Sequence, residues 1–187
     1  MAIDDLATRL AADRATTVLI DGRSGSGKTT LAAQLHTAWP ASVVVRLDDI
    51  YPGWDGLLWA ADHLRHELLE PRAAGRPGRW RGWDWTRNAP AGWHTVGPQQ
   101  RLVVEGIGSL TPASRALADL GIWVHAEDAE RKHRALSRDG DMYRPHWDRW
   151  AAQELVFIER YRPQECADLI AVPSGPGFGF TAPDGRP

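Results

Sequence analysis

The stretch Gly22-Arg23-Ser24-Gly25-Ser26-Gly27-Lys28-Thr29 matches the pattern G-x-x-x-x-G-K-[ST] at every fixed position. It follows the apolar run Val18-Leu19-Ile20, which reads as a buried strand. It precedes Thr30-Leu31-Ala32-Ala33-Gln34-Leu35, which reads as the start of a helix. Glycines let a backbone curl until several N–H groups point at one anion, and a helix N-terminus adds partial positive charge. In this strand–loop–helix setting Gly22, Ser24, Gly25, Ser26, Gly27 and Thr30 are expected to cradle phosphates. Lys28 is expected to reach the β- and γ-phosphates, and the Thr29 hydroxyl to bind Mg²⁺.

The chain has 187 residues, a net charge of −2 and a pI near 6.4. That length suits one domain with a full core. Without a basic excess, nucleic acid is not an expected partner, and phosphate binding should be local. Lys28 and Lys132 are the only two lysines beside twenty arginines. A compact ammonium fits between phosphates where a planar guanidinium fork does not, so lysine at position 28 is informative. Cys166 is the single cysteine, which excludes an intrachain disulfide. The N-terminal stretch lacks a basic region followed by an apolar core, so no signal peptide is expected. No run approaches the roughly 20 apolar residues of a membrane span. These features predict a cytoplasmic protein.

Apolar periodicity predicts helices over 3–13, 28–38, 57–70, 112–119, 127–138 and 146–161. The last carries Trp147, Trp150, Ala151, Leu155, Ile158 and Tyr161 on one face. Strands are predicted at 17–21, 43–47, 102–104, 120–124 and 169–172. Residues 71–82, rich in Arg, Gly and Pro, read as a loop. The tail from Pro173, with four glycines and four prolines, reads as irregular. Short all-apolar strands separated by helices predict a parallel sheet covered on both faces.

Ligands of such sheets bind at the C-terminal ends of the strands. Three predicted ends carry chemistry: the loop after Ile20, Asp48-Asp49 after Leu47, and Glu105 after Val104. Acidic residues at strand ends either cap the following turn or, beside a γ-phosphate, take a proton from an attacking hydroxyl. Glu105 is either a solvated loop residue or a Mg²⁺ ligand. Arg131, Arg134 and Arg138 share one helix face by their spacing. They serve either as a solvated face paired with Glu127, Asp128 and Glu130 or as a lid over the transferring group. Four of the ten tryptophans, at 80, 83, 85 and 93, precede the third strand. They serve either as packing or as a wall for a flat or apolar substrate. His63 and His66 lack the carboxylate cluster that would complete a metal site.

These residues resemble the uridine kinase and phosphoribulokinase branch of the P-loop kinases over 17 to about 172. Asp48-Asp49-Ile50-Tyr51 resembles the family's Asp-x-Phe-Tyr, whose first Asp is the catalytic base. Val104-Glu105-Gly106-Ile107 resembles its strand-Glu-Gly, which assigns Glu105 to magnesium. Trp83-Asp84-Trp85 resembles the Tyr-Asp-Phe of the substrate hairpin, and Trp54-Asp55 falls about where uridine kinases hold ribose hydroxyls. Arg131-x-x-Arg134-x-x-x-Arg138-Asp139 resembles the lid helix, and Ala167-Asp168-Leu169-Ile170 the entry to the last strand. Asn88 stands where uridine kinases carry a histidine, so the pyrimidine-reading residues are not reproduced.

The resemblance implies a three-layer α/β P-loop NTPase fold with a five-stranded parallel sheet. It implies one domain over 1–187, with a substrate segment at about 50–95 and a lid at about 127–147. It implies ATP and Mg²⁺ as cofactors and a small hydroxyl compound as acceptor, a ribose-bearing one on the strength of Asp55. Asp48 is the expected base. Lys28, Arg131 and Arg138 stabilise the transferring group, and Arg134 assists at the nucleotide. Asp49, Tyr51, Asp55, Trp83 and Asp84 form the expected acceptor pocket. The alternatives are a nucleoside-monophosphate kinase, with Arg79, Arg81 and Arg87 as its phosphate site, and a catalytically silent ATP-binding module.

Overall fold

The computed structural model describes residues 1–183, without the side chains of Arg138, Asp139, Asp141 and Met142. Helix α1 (Ile3–Ala12) leads into strand β1 (Thr17–Asp21), whose five residues are all buried. The loop then enters α2 (Lys28–Ala38), followed by β2 (Ser42–Arg46). A 3₁₀ turn at Leu47–Asp49 and another at Gly53–Asp55 lead to α3 (Leu57–His63). That helix widens into a π-helical segment at Leu64–Leu69 and ends as α4 (Glu70–Ala73). The wide turn lies just before Pro71, whose ring has no N–H to give to a preceding carbonyl.

Next come β3 (Gly78–Asp84), β4 (Ala89–Val96) and β5 (Arg101–Glu105). Helix α5 (Pro112–Arg115) precedes β6 (Leu120–Val124). Helices α6 (Asp128–Tyr143), α7 (Trp147–Tyr161) and α8 (Pro163–Cys166) lead to the hairpin of β7 (Leu169–Ser174) and β8 (Gly177–Thr181).

The sheet order is β2-β5-β1-β6-β7-β8, with β7 and β8 antiparallel and every other pair parallel. Strand side chains alternate between faces, and this alternation divides the core. Leu19, Leu102, Val104 and Trp123 pack on one side with α3, the π segment and α7. Val18, Ile20, Val103, Ile122 and Val124 pack on the other with α1 and α2. From β1 the chain goes to β2 on one side, and from β5 it crosses to β6 on the other. The crevice at such a reversal is where ligands sit in open α/β sheets.

Four expectations need correction. The sheet has a sixth, antiparallel edge strand, because Phe178 and Phe180 of the Gly- and Pro-rich tail pack against the α2 side of the core. The supposed loop over 71–82 contains α4 and most of β3, which pairs with β4; Trp80 stacks on His94 at 5.0 Å across the pair. Helix α5 stops at Arg115, and Asp119 instead accepts hydrogen bonds from the N–H groups of Thr16 and Thr17 at 2.7 and 2.9 Å. On α7 the buried stripe is Trp147, Trp150, Glu154 and Phe157, while Leu155 is 55% exposed.

Candidate active site

The three chemical strand ends meet at one sheet edge. Glu105 on β5 is in register with Ile20 of β1 on one side and Arg46 of β2 on the other. The phosphate loop and the Leu47–Asp49 turn therefore flank Glu105 directly. Above this edge opens a cleft of about 520 Å³. Part of its lining is Ser24, Gly25, Gly27, Lys28, Thr29 and Thr30 from the loop and α2. Asp48, Glu105 and Arg134 add charge, and Tyr51, Trp54, Trp85, Tyr143 and Trp150 add rings.

The loop is shaped for an anion. Gly25 and Gly27 have φ of +79° and +106°, in the left-handed region that glycine alone enters freely. A Cβ on Gly25 would collide with the carbonyl of Arg131. The first helical hydrogen bond of α2 runs from the Leu31 N–H to the Gly27 carbonyl at 3.0 Å, so earlier N–H groups have no intrahelical acceptor. The Ser26 hydroxyl is buried and has no hydrogen-bond partner among the described residues. The Lys28 ammonium donates to the Arg23 carbonyl at 3.1 Å. A phosphate chain in the cleft offers acceptors to the free loop N–H groups and to Lys28, so the loop fits a nucleoside triphosphate.

The donor set for a divalent ion is equally local. Thr29 Oγ1 donates to Glu105 Oε1 at 3.0 Å. Burial pushes the Glu105 carboxyl above the usual carboxylate range, with Lys28 acting against the shift and Asp48 adding to it. Hard oxygen ligands of this kind suit Mg²⁺, and the ion's charge would offset the cost of burying the carboxylate.

Asp21, fully buried at the end of β1, ties the loop to the segment after β5. Its carboxylate accepts from the N–H groups of Gly22, Gly108 and Leu110 at 2.6, 3.1 and 2.8 Å. Burial nevertheless raises its pKa from 3.8 to about 7, against those donors and Lys28. Between those values the folded protein holds a proton that the unfolded chain has released, so stability falls as pH rises. Urea unfolding should therefore show stability declining from pH 5 to pH 7.5 by on the order of 2–3 kcal/mol, the part of the shift that falls within that window. Asp21→Asn should flatten that slope, leaving the smaller part that Glu105 contributes; parallel curves for the two proteins would refute the assignment.

The structure distributes the other expected residues unevenly. Asp48 is on the cleft wall and Asp49 is not. Tyr51 lines the cleft with its ring, while its hydroxyl donates to the Ile107 carbonyl at 2.7 Å. Asp55 is off the wall, held in a two-pronged ion pair by Arg149. Asp84 caps its own turn, accepting from the N–H groups of Thr86 and Arg87, both at 3.0 Å. Trp83 is also off the wall. Arg134 lines the cleft and pairs with Glu130. Arg131 is buried away from the cleft, with its Nε donating to Asp128 at 2.7 Å and its Nη1 3.7 Å from Glu154. The side chain of Arg138 lies outside the described residues.

Sequence reasoning missed Glu154. It has no exposed surface, and it accepts from the Ser24 N–H at 2.7 Å and from Arg23 Nε at 3.0 Å. Trp150, one turn earlier, donates from Nε1 to Ser24 Oγ at 3.1 Å. The signal was present, since Glu154 interrupts the apolar stripe of α7.

Superposition on known structures gives a match over nearly the whole chain. A protein described as a possible uridine kinase from Bacillus stearothermophilus aligns with TM-score 0.63 and 21% identity, covering 90% of this chain and 96% of its own. The fold is that of the P-loop kinases. A candidate fructose transport system kinase from Silicibacter sp. TM1040 aligns on the same P-loop kinase fold with TM-score 0.52 and 21% identity, over 85% and 89% of the two chains. No protein-family profile and no curated protein sequence matches the chain.

Proposed function

We propose that the protein is a small-molecule kinase that transfers the γ-phosphoryl group of ATP to a hydroxyl group. The observation that carries this reading is the convergence of Lys28, Asp48 and the hydrogen-bonded Thr29–Glu105 pair on one cleft. An ATP-hydrolysing switch needs only the loop and the metal ligands. A carboxylate at the end of the neighbouring strand adds a base for an incoming alcohol. Bound ATP·Mg²⁺ supplies the electrophilic phosphoryl group and a diphosphate leaving group. Lys28 and the loop N–H groups hold the phosphates. Thr29 and Glu105 hold the ion. Asp48 orients the acceptor hydroxyl and takes its proton as the oxygen gains the phosphoryl group. Arg134, on the cleft wall, offsets charge on that group. Positioning and electrostatics supply most of the rate in such a reaction.

An alcohol acceptor is favoured over a nucleoside monophosphate by the hairpin arginines. Arg79 pairs with Glu67 and lies over the Trp93 ring, Arg81 reaches the Ala91 carbonyl, and Arg87 stands 3.7 Å from Asp84. None of them lines the cleft. The test is ADP release with ATP, Mg²⁺ and pooled metabolites, followed by phosphorus NMR. Metabolite-dependent release with a phosphate monoester product is expected. An anhydride product would indicate a monophosphate kinase, and absence of any metabolite dependence a silent nucleotide-binding module.

A further inference from the structure

The wall of the cleft that is tied to Asp48 through Trp85 is built largely from rings. Trp54 lies 5.0 Å from Trp85 and 5.4 Å from Tyr143, nearly parallel to the latter. Trp150 meets Tyr51 edge-on at 4.7 Å and Trp54 edge-on at 6.3 Å. All five side chains line the one cleft.

Three of the polar atoms of this wall are spent within the protein. Trp85 Nε1 donates to the Asp48 carbonyl at 2.8 Å, Trp150 Nε1 to Ser24 Oγ, and the Tyr51 hydroxyl to the Ile107 carbonyl. These bonds fix the rings and turn their apolar surface to the cleft. A polyhydroxylated acceptor would lose water at each hydroxyl and gain little in return, at a cost for every unpaired polar group.

The groups that could have read a sugar are engaged elsewhere. Asp55 is clasped by Arg149, and Asp84 caps its turn. Arg134 is the only arginine among the described residues on the wall, and it is paired with Glu130. Among the described residues an anionic acceptor therefore meets no cluster of arginines on this wall. Flat apolar or aromatic bodies, in contrast, gain burial and ring contacts there.

Resting on the kinase reading above, we infer that the acceptor is an uncharged, flat, largely apolar alcohol. Its reacting hydroxyl meets Asp48 and its body lies against Trp54, Trp85 and Trp150. This replaces the ribose-bearing acceptor that Asp55 suggested in the sequence.

The test compares two panels with ATP and Mg²⁺, scored by phosphate-monoester product in phosphorus NMR. One panel holds indole-3-ethanol, 2-phenylethanol and other uncharged aryl alcohols. The other holds ribose, ribonucleosides, ribose 5-phosphate and hexoses. Product in the first panel is expected, with KM raised roughly 3–10-fold by Trp54→Ala or Trp85→Ala and ATP affinity unchanged. Product confined to the second panel would overturn this inference and leave the kinase reading standing. No acceptor-dependent product from either panel or from pooled metabolites would overturn both. Equal KM values for the two variants and the parent, on an aryl alcohol that is turned over, would remove the tryptophan wall from acceptor binding.

Discussion

Asp48→Asn should lower kcat by roughly 10²–10⁴-fold while ATP·Mg²⁺ binding, followed by calorimetry, stays near that of the parent. The amide keeps the shape and most of the hydrogen bonding of the carboxylate but cannot accept a proton. The turn that carries Asp48 is held by its backbone and by its neighbours. Leu47 is fully buried beneath it, the Ile50 N–H donates to the Leu47 carbonyl at 2.8 Å, and Trp85 holds the Asp48 carbonyl. The substitution therefore removes chemistry rather than architecture. Asp49→Asn is the matched control, because Asp49 lies off the cleft wall and its loss should leave turnover near normal. If Asp48→Asn turned over normally and Asp49→Asn did not, the base would be the second carboxylate of the pair.

Glu154→Ala should destabilise the protein by about 3 kcal/mol or more, lowering the melting temperature by on the order of 10 °C for a chain of this length. The carboxylate serves three groups at once: the Ser24 N–H, the Arg23 guanidinium and, at 3.7 Å, the buried Arg131. Truncation leaves two cations sharing Asp128 alone, which pairs with Arg23 at 3.1 Å and with Arg131 at 2.7 Å but is itself 75% exposed. ATP binding should weaken as well, since Ser24 belongs to the phosphate loop. Glu154→Gln keeps an acceptor for the Ser24 N–H and should recover part of that affinity while recovering less stability. A melting temperature within about 2 °C of the parent for Glu154→Ala would show that Asp128 suffices.

The central strands were legible because burial on both faces leaves an unbroken apolar run, as in β1 and β5. The site's backbone was legible for a related reason: Gly22–Thr29, Asp48 and Glu105 each follow such a run. The β3–β4 hairpin was obscured by Gly78, Gly82 and Pro90, which read as breakers. Gly78 is required because a Cβ there would strike the Leu68 carbonyl, and Pro90 faces Trp83 next to the register shift. Strand β8 was hidden in the same way, since its stability comes from Phe178 and Phe180 docking on a distant helix rather than from local composition. In Trp54-Asp55 and Asp84-Trp85 the family resemblance drew attention to the acids, whereas the structure puts the tryptophans on the wall. Which member of such a pair faces inward depends on a distant partner, here Arg149 for Asp55.

The short segment after β5 is gripped from two directions, by Asp21 through Gly108 and Leu110 and by Tyr51 through Ile107. A Cβ on Gly106, at the start of that segment, would press on Leu47 and on the Tyr51 hydroxyl. The Glu105 side and the Asp48 side of the cleft are thereby bolted to a common frame. Anyone retuning its selectivity has freedom at position 54, whereas altering position 85 releases the Asp48 carbonyl and altering position 51 disturbs the mounting of Glu105 along with the pocket.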